Sequence, residues 1–132
     1  MMGEDPHLAG ALGAATVRGL TDGGALANAS AAVAPLLKHF AAYSCPEGGH
    51  NAAPAHVGRR ELLTTFLPPF AEAMDAGAQA VMASYNEIDG EVNAASKFLL
   101  SVLPSGHWRG HGPRDGPFDG FVSSDFGESE SL

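Results

Sequence analysis

The chain has 132 residues and a formal net charge of −8, with 45% hydrophobic and 17% charged residues. This length suffices for one domain with a core, and the charge argues against a nucleic-acid partner, because few basic side chains are available to neutralise phosphates. Cys45 is the only cysteine, which excludes an internal disulfide.

The first residues carry no targeting signal. Glu4 and Asp5 stand where a signal peptide needs basic residues, and no apolar segment follows them. No apolar run approaches the ~20 residues that cross a membrane. The sequence therefore predicts no membrane partner and leaves the compartment open, and in a piece of a longer protein these absences carry no weight.

A helix is predicted near the N-terminus, over residues 7–20, with interruptions at Gly10 and Gly13. Its apolar stripe consists of Leu8, Leu12, Ala15, Val17 and Leu20. The following stretch, 21–30, is small and polar and indicates a loop.

The first strand is predicted at 31–40, a dense apolar run that ends in Lys38, His39 and Phe40. Charged side chains at the end of a buried strand are unusual, because Lys is rarely buried unless it is paired. The alternative for Lys38 and His39 is a solvated strand end with no special role.

A Gly- and Pro-rich stretch, 44–58, predicts a long loop, and such loops are often functional. It contains Cys45, His50 and His56, but their spacing matches no standard zinc pattern and no second ligand pair follows. The sequence therefore predicts no metal and no cofactor.

Residues 59–75 predict the clearest helix, because large apolar side chains recur there at i, i+3 and i+4. These side chains are Leu62, Leu63, Phe66, Leu67, Phe70 and Met74. Such a stripe is typical of core rather than of a cofactor site. Pro68-Pro69 predicts a break or kink in the middle of this helix.

The second strand is predicted at 78–85, an apolar run that ends in Ser84-Tyr85. Asp89-Gly90 indicates a turn. Asn93 is expected to cap a helix that extends to residue 103 and stops at Pro104. The stretch 105–117 has no periodicity and predicts a loop.

The last strand is predicted at 120–123 as a buried strand that ends in Ser124-Asp125, shortly before Gly127. A carboxylate in this position is held rigidly and points out of the edge of the sheet, where α/β proteins place their chemistry. The alternative for Asp125 is a turn or helix-capping residue.

Strands and helices thus alternate as βαβαβ, which predicts parallel strands whose C-terminal ends lie side by side. Lys38, His39, Tyr85 and Asp125 would then share one face, as at the top of a (β/α)8 TIM barrel. A doubly wound open sheet is the alternative, but no Gly-x-Gly-x-x-Gly loop follows any strand. With about three parallel strands and intervening helices, the predicted class is α/β, a partial and incomplete (β/α)8 TIM barrel.

Four sequence blocks resemble glycoside hydrolase family 3, which contains β-glucosidases, β-xylosidases and related exo-acting enzymes. The blocks are Gly3-Glu4-Asp5-Pro6, Lys38-His39-Phe40-Ala41-Ala42-Tyr43, Val81-Met82-Ala83-Ser84-Tyr85-Asn86 with Asp89-Gly90, and Phe118-Asp119-Gly120-Phe121 followed by Ser124-Asp125. The resemblance implies that residues 1–132 are a fragment of the family's N-terminal catalytic barrel domain, with 105–117 as an inserted loop.

The resemblance also implies roles for individual residues. Asp125 matches the family's catalytic nucleophile, and Lys38 and His39 match the pair that binds sugar hydroxyls. Tyr85 matches a Tyr beside the nucleophile, and Met82 lies in the strand that lines the same subsite. The implied activity is hydrolysis of O-glycosyl bonds by a retaining, β-glucosidase-like exo-β-glycosidase that acts on terminal non-reducing β-linked sugars, so the implied partner is a β-glucoside or β-xyloside.

The sequence also departs from the family pattern in ways that bear on whether residues 1–132 are active by themselves. The acid/base residue of the family usually comes from well beyond the nucleophile, and it is expected from C-terminal sequence that is missing here. Phe126 replaces the usual Trp, and His50 stands where many members have Arg. The alternatives are therefore a truncated inactive fragment, a sugar-binding relic, or an interaction domain unrelated to sugars.

Overall fold

The computed structural model describes residues 2–21, 33–105, 118 and 120–127. The helices are α1 (Pro6–Thr21), α2 (Arg59–Glu61), α3 (Pro68–Asp75) and α4 (Lys97–Ser105). The strands are β1 (Leu36–Phe40), β2 (Ala80–Ala83), β3 (Glu87–Ile88), β4 (Glu91–Val92) and β5 (Phe121–Ser123). The predicted loops at 21–30 and 105–117 lie outside the described residues, apart from Thr21 at the end of α1 and Ser105 at the end of α4.

Three strands form a parallel sheet in the order β1-β2-β5. Val81 of β2 pairs with Leu37 on one side and with Val122 on the other, so the three C-terminal ends lie at the same edge of the sheet. Helices α2 and α3 connect β1 to β2, and α4 lies between β2 and β5 in the chain. The predicted parallel βαβαβ arrangement is confirmed.

Helix α1 begins at a capped turn and packs against α3. The Asp5 carboxylate accepts the N–H groups of His7 at 2.8 Å and Leu8 at 3.3 Å, which satisfies two otherwise unpaired donors of the first turn. Gly10 lies inside the helix rather than interrupting it. A Cβ atom at Gly10 would stand 2.6 Å from the Glu72 carboxyl carbon, so the glycine permits close approach of the two helices.

The predicted helix at 59–75 is divided, as the two prolines require. A π-helical turn, Leu62–Phe66, separates α2 from α3, and the Leu67 N–H donates to the Leu62 carbonyl oxygen at 3.0 Å. Pro68 then occupies the first position of α3, where its missing N–H costs no hydrogen bond. The apolar stripe is core as predicted: its buried members are Leu62, Leu67 and Met74.

Two predictions for the segment after β2 are wrong. Asn93 does not cap α4, because Asn93 lies in a short 3-10 turn (Asn93–Ala95) and the N–H of Leu99 is accepted by the Ser96 hydroxyl at 3.2 Å. The helix includes Pro104, which lies in its last turn, rather than stopping before it. The turn at Asp89-Gly90 is confirmed, and it joins the antiparallel hairpin β3–β4, which was not predicted.

The strands are shorter than predicted, and β5 is not buried. Phe121 and Val122 are 61% and 42% exposed. β5 is one of the two outer strands of the described sheet, so on one side it lacks the neighbour that would flank it inside a closed barrel. Among the described helices, none combines the length and apolar character that crossing a membrane requires.

Candidate active site

The end of β1 is irregular at the two residues predicted to bind a sugar. Leu37 pairs with Val81 and Phe40 pairs with Ala83, so the two residues between them, Lys38 and His39, stand opposite a single residue of β2. This is a β-bulge, which locally bends a strand and changes the direction of its side chains. The residue opposite is Met82, the one placed in the same subsite by the resemblance.

The bulge separates the environments of its two side chains. Lys38 is exposed, in agreement with the alternative of a solvated strand end. The side chain of His39 is only 25% exposed, and its Nε2 atom lies 3.5 Å from Oδ2 of Asp125. That contact is an ion pair when the imidazole is protonated. His39 is therefore not a solvated strand end.

Asp125 lies just beyond the end of β5, two residues after Ser123. Its side chain is 18% exposed, with Oδ2 towards His39 and Oδ1 accepting the N–H of Phe126 at 2.7 Å. The turn continues through Gly127, whose φ of +72° favours glycine. Asp125 is therefore both a turn residue, as the alternative predicted, and a neighbour of His39.

Tyr85 is connected to the same turn. Its hydroxyl donates to the Phe126 carbonyl oxygen at 2.6 Å, which ties the end of β2 to the residue after Asp125. Its ring centroid lies 6.4 Å from that of Tyr43, and the Tyr43 ring lies 4.9 Å from the His39 ring. The three strand ends thus meet through His39, Tyr85 and Asp125, and Lys38 and Met82 lie at the bulge beside them.

Tyr43 is a member of this group that the sequence reasoning did not single out. Its hydroxyl donates to Asn51 Oδ1 at 2.6 Å, so it links His39 to the long loop at 44–58. A Tyr four residues after a candidate histidine carries no spacing signal of its own, although it stands inside one of the resembling blocks.

A second missed feature is buried just behind the site. The carbonyl oxygen of Ala41 accepts hydrogen bonds from Ser84, Asn86 and Asn93. The signal available in the sequence was the run of polar residues directly after the apolar strand β2. Asn93 was instead assigned to the start of a helix.

The ionic contacts of the long loop are weak. His56 Nε2 lies 3.5 Å from Glu47 Oε2, and His56 Nδ1 lies 3.9 Å from Asp89 Oδ1, with all three side chains more than half exposed. Within the described part of the chain, no three His, Cys, Asp or Glu side chains are arranged to hold a metal ion.

Cys45 should react slowly with alkylating reagents. Partial burial raises the pKa of its thiol, and the Glu61 carboxylate raises the pKa further, so less of the reactive thiolate is present near neutral pH. We expect Glu61→Gln to lower the thiol pKa and to speed alkylation by iodoacetamide, measured by mass spectrometry. Glu72→Gln, which changes a carboxylate against α1, is the matched control. Equal alkylation rates in the two variants would contradict the conclusion that Glu61 raises the pKa of the Cys45 thiol.

Comparison with known proteins identifies the family. Residues 2–131 match the sequence profile of the Glycosyl hydrolase family 3 N terminal domain. The chain belongs to this family. The resemblance found in the sequence is therefore confirmed, and so is the fold class, since three parallel strands with helices form part of the TIM barrel of that domain.

Relatives of this chain within glycosyl hydrolase family 3 include β-glucosidases. The chain is 39% identical over 107 residues to a lysosomal beta glucosidase of Dictyostelium discoideum, covering 76% of this chain and 13% of that protein. It is 34% identical over 129 residues to a beta-glucosidase of Rhizobium radiobacter, covering 97% of this chain and 14% of that protein.

A solved β-glucosidase structure also superimposes on this chain. A mutant beta-glucosidase from Listeria innocua in complex with laminaribiose superimposes with a TM-score of 0.82 at 34% identity, covering 98% of this chain and 17% of that one. The present chain therefore spans less than a fifth of the length of each of these family 3 relatives.

Proposed function

We propose that Asp125 is the nucleophile of a retaining exo-β-glycosidase of the β-glucosidase type, acting on terminal non-reducing β-linked sugars. The observation that carries the proposal is the 3.5 Å contact between His39 and Asp125 at the C-terminal edge of a parallel sheet, in a chain that belongs to a glycosyl hydrolase family. Catalytic groups of (β/α)8 barrels come from this edge. The β-glucosidases among its relatives support a β-glucoside as substrate.

The reaction proceeds in two steps. An Asp125 carboxylate oxygen attacks the anomeric carbon while the bond from that carbon to the aglycone oxygen breaks, and an acid/base residue protonates the departing oxygen. Water, deprotonated by the same acid/base residue, then attacks the anomeric carbon, and the bond to Asp125 breaks. The sugar leaves with retained configuration, and the carboxylate is restored.

The remaining site residues bind and orient the sugar. Lys38 and His39 donate to sugar hydroxyls, and hydrogen bonds of this kind strengthen as the oxocarbenium-like transition state forms. Tyr85 stands beside the nucleophile, where its bond to Phe126 keeps the turn after Asp125 in place. Met82 lines the same subsite from β2.

We further propose that residues 1–132 supply the nucleophile half of the site, and that the acid/base carboxyl comes from sequence outside them. The basis is that the chain spans less than a fifth of the length of each of the three β-glucosidases described above. On this view the 132 residues alone bind a sugar but do not turn over ordinary glucosides. Loss of general acid–base catalysis lowers the reaction rate about 10²–10⁴-fold.

An activated substrate tests the assignment of the nucleophile separately from the proposal that the acid/base residue lies outside residues 1–132. Dinitrophenolate leaves without being protonated, so dinitrophenyl fluorodeoxyglucoside can glycosylate a nucleophile in the absence of an acid. We expect the purified chain to gain one fluorodeoxyglucosyl group, mapped to Asp125 by peptide mass spectrometry, while releasing no glucose from methyl β-glucoside. Turnover of methyl β-glucoside would overturn the half-site proposal, and a label on another residue would overturn the nucleophile assignment.

Lys38 is expected to contribute to binding more than to the chemical step. A hydrogen bond from a charged group is worth ~1.5–3 kcal/mol, so Lys38→Ala should raise the reagent concentration for half-maximal labelling about tenfold or more. The maximal labelling rate should change less, as expected for an interaction present before and during the reaction. Lys97→Ala, an exposed lysine at the start of α4, is the control. Equal effects of the two substitutions would exclude Lys38 from the site.

A further inference from the structure

We infer that three buried side chains around the carbonyl of Ala41 position His39 in the site. This carbonyl clamp, as we name it, consists of Ser84, Asn86 and Asn93. All three are at most 1% exposed and are therefore shielded from a bound sugar, so we assign them as positioning residues rather than catalytic ones. The inference rests on the proposed role of His39 beside the nucleophile.

The clamp gathers donors from two segments of the chain onto one acceptor. Ala41 O accepts from Asn93 Nδ2 at 2.9 Å, from Ser84 Oγ at 3.2 Å and from Asn86 Nδ2 at 3.4 Å. Asn93 Nδ2 also donates to Ser84 Oγ at 2.7 Å. The end of β1, the end of β2 and the segment after the β3–β4 hairpin are therefore joined at a single atom.

Burying these three polar side chains is less favourable than burying apolar side chains of similar size would be. Its three residues are at most 1% exposed, and Oδ1 of both Asn86 and Asn93 is buried with no hydrogen-bond partner among the described residues. An unpaired buried amide oxygen loses its hydration without compensation, whereas an apolar side chain would pack there at no such cost. What three buried donors on one carbonyl provide instead is a fixed backbone geometry.

That fixed geometry begins immediately after His39. The Phe40 carbonyl accepts the N–H of Ser84 at 2.9 Å, and the next carbonyl, of Ala41, is held by the clamp. His39 itself lies in the bulge, where the regular ladder of β1 with β2 is broken. The ladder therefore restrains the residues on both sides of the bulge but does not pair His39 itself, and the clamp adds a second restraint on the backbone at its C-terminal side.

The experiment measures the contact of His39 with Asp125 in variants of the clamp. Ser84→Ala and Asn93→Leu each remove donors from the Ala41 carbonyl. The imidazole Cε1–H resonance of His39, identified by its loss in His39→Gln, is recorded with and without Asp125→Asn in each background. In the wild-type background we expect Asp125→Asn to shift this resonance, because the two side chains are in contact, and in the clamp variants we expect the shift to be lost or reduced.

The rate of labelling by dinitrophenyl fluorodeoxyglucoside gives a second measure. We expect it to fall about tenfold or more in the clamp variants, because displacement of a site residue by a fraction of an ångström lowers reaction rates steeply. Val17→Ala is the control for general loss of stability. It removes buried volume from a separate core cluster, formed with Ala73 and Ala78, and should lower the melting temperature without moving the His39 resonance.

The inference is overturned if the clamp variants lower the melting temperature as Val17→Ala does but leave the His39 resonance and its response to Asp125→Asn unchanged. Should Asn93→Leu fail to fold, Ser84→Ala decides, since it removes only one oxygen atom. The resonance does not depend on any reaction. If the wild-type chain is not labelled at all, the nucleophile proposal fails while the resonance still tests the clamp.

Discussion

Asp125→Asn is expected to abolish labelling of the chain by dinitrophenyl fluorodeoxyglucoside, with a loss of at least about three orders of magnitude in rate. The neutral amide oxygen of Asn is a far weaker nucleophile than the carboxylate of Asp. The substitution keeps the shape of the side chain. Its Oδ1 can still accept the N–H of Phe126, which the carboxylate now accepts at 2.7 Å, so the turn is retained.

The measurement is intact-protein mass spectrometry over time, with circular dichroism to establish that the variant is folded. Asp89→Asn is the matched control, because Asp89 lies in the exposed hairpin turn at φ +50°, a conformation that Asn tolerates. This variant should label at the wild-type rate. Undiminished labelling of Asp125→Asn would remove the basis for the proposed mechanism.

Gly120→Ala is expected to have the largest effect on structure. A Cβ atom at this position would run into the carbonyl oxygen of Gln79 and the ring of Phe118, and it would lie 2.8 Å from the Gln79 carbonyl carbon. That carbonyl oxygen accepts the N–H of Phe121 at 3.2 Å, a contact that holds the start of β5 against the residue before β2. The added methyl group therefore forces the two strands apart.

We expect Gly120→Ala to lower the free energy of unfolding by about 3 kcal/mol, near the upper end of the range for overpacking, because backbone atoms cannot move aside as a side chain can. Urea unfolding measures this loss. Labelling should fall as well, since Asp125 is carried by β5. Gly19→Ala is the control: nothing lies within 4 Å of its added Cβ, and in helix α1 alanine stabilises by up to ~1 kcal/mol. Equal stability of the two variants would show that β5 is not packed as described.

The clamp and the strand contact at Gly120 act on different sides of the same site. The clamp fixes the end of β1, which carries His39, and the packing at Gly120 fixes β5, which carries Asp125. A variant of either kind should reduce labelling, but only the clamp variants should do so without detaching a strand. Comparing the two therefore separates loss of alignment from loss of the sheet.

Local patterns in the sequence were sufficient for the main helices, for the three strands of the parallel sheet and for their order, but not for the β3–β4 hairpin. The 3.6-residue apolar period identified the helical segment that carries Leu67 and Met74, and short apolar runs identified the three strands. Such periodicities report which face of a segment is buried, and they depend only on neighbouring residues. The end of each strand was also visible, since polar residues follow each apolar run. The family followed from the blocks of residues at those ends.

Boundaries, caps and exposure depended on packing that no local pattern contains. Asn93 has the side chain of a typical helix cap, yet it bonds to the Ala41 carbonyl, 52 residues away in the chain, and Ser96 caps the helix instead. Phe121 and Val122 have the composition of a buried strand, yet they are 61% and 42% exposed in β5, which lies at an edge of the described sheet.

The sequence alone therefore determined that three parallel strands would bring Lys38, His39, Tyr85 and Asp125 to one edge, and it determined the family. Only the tertiary structure decided how they meet: a bulge sets His39 apart from Lys38, and Tyr85 reaches the backbone of the turn after Asp125. The physical reason is the distance along the chain over which each kind of information acts. Apolar periodicity records burial along one segment, whereas register, bulges and buried hydrogen bonds arise between segments that the chain itself places far apart.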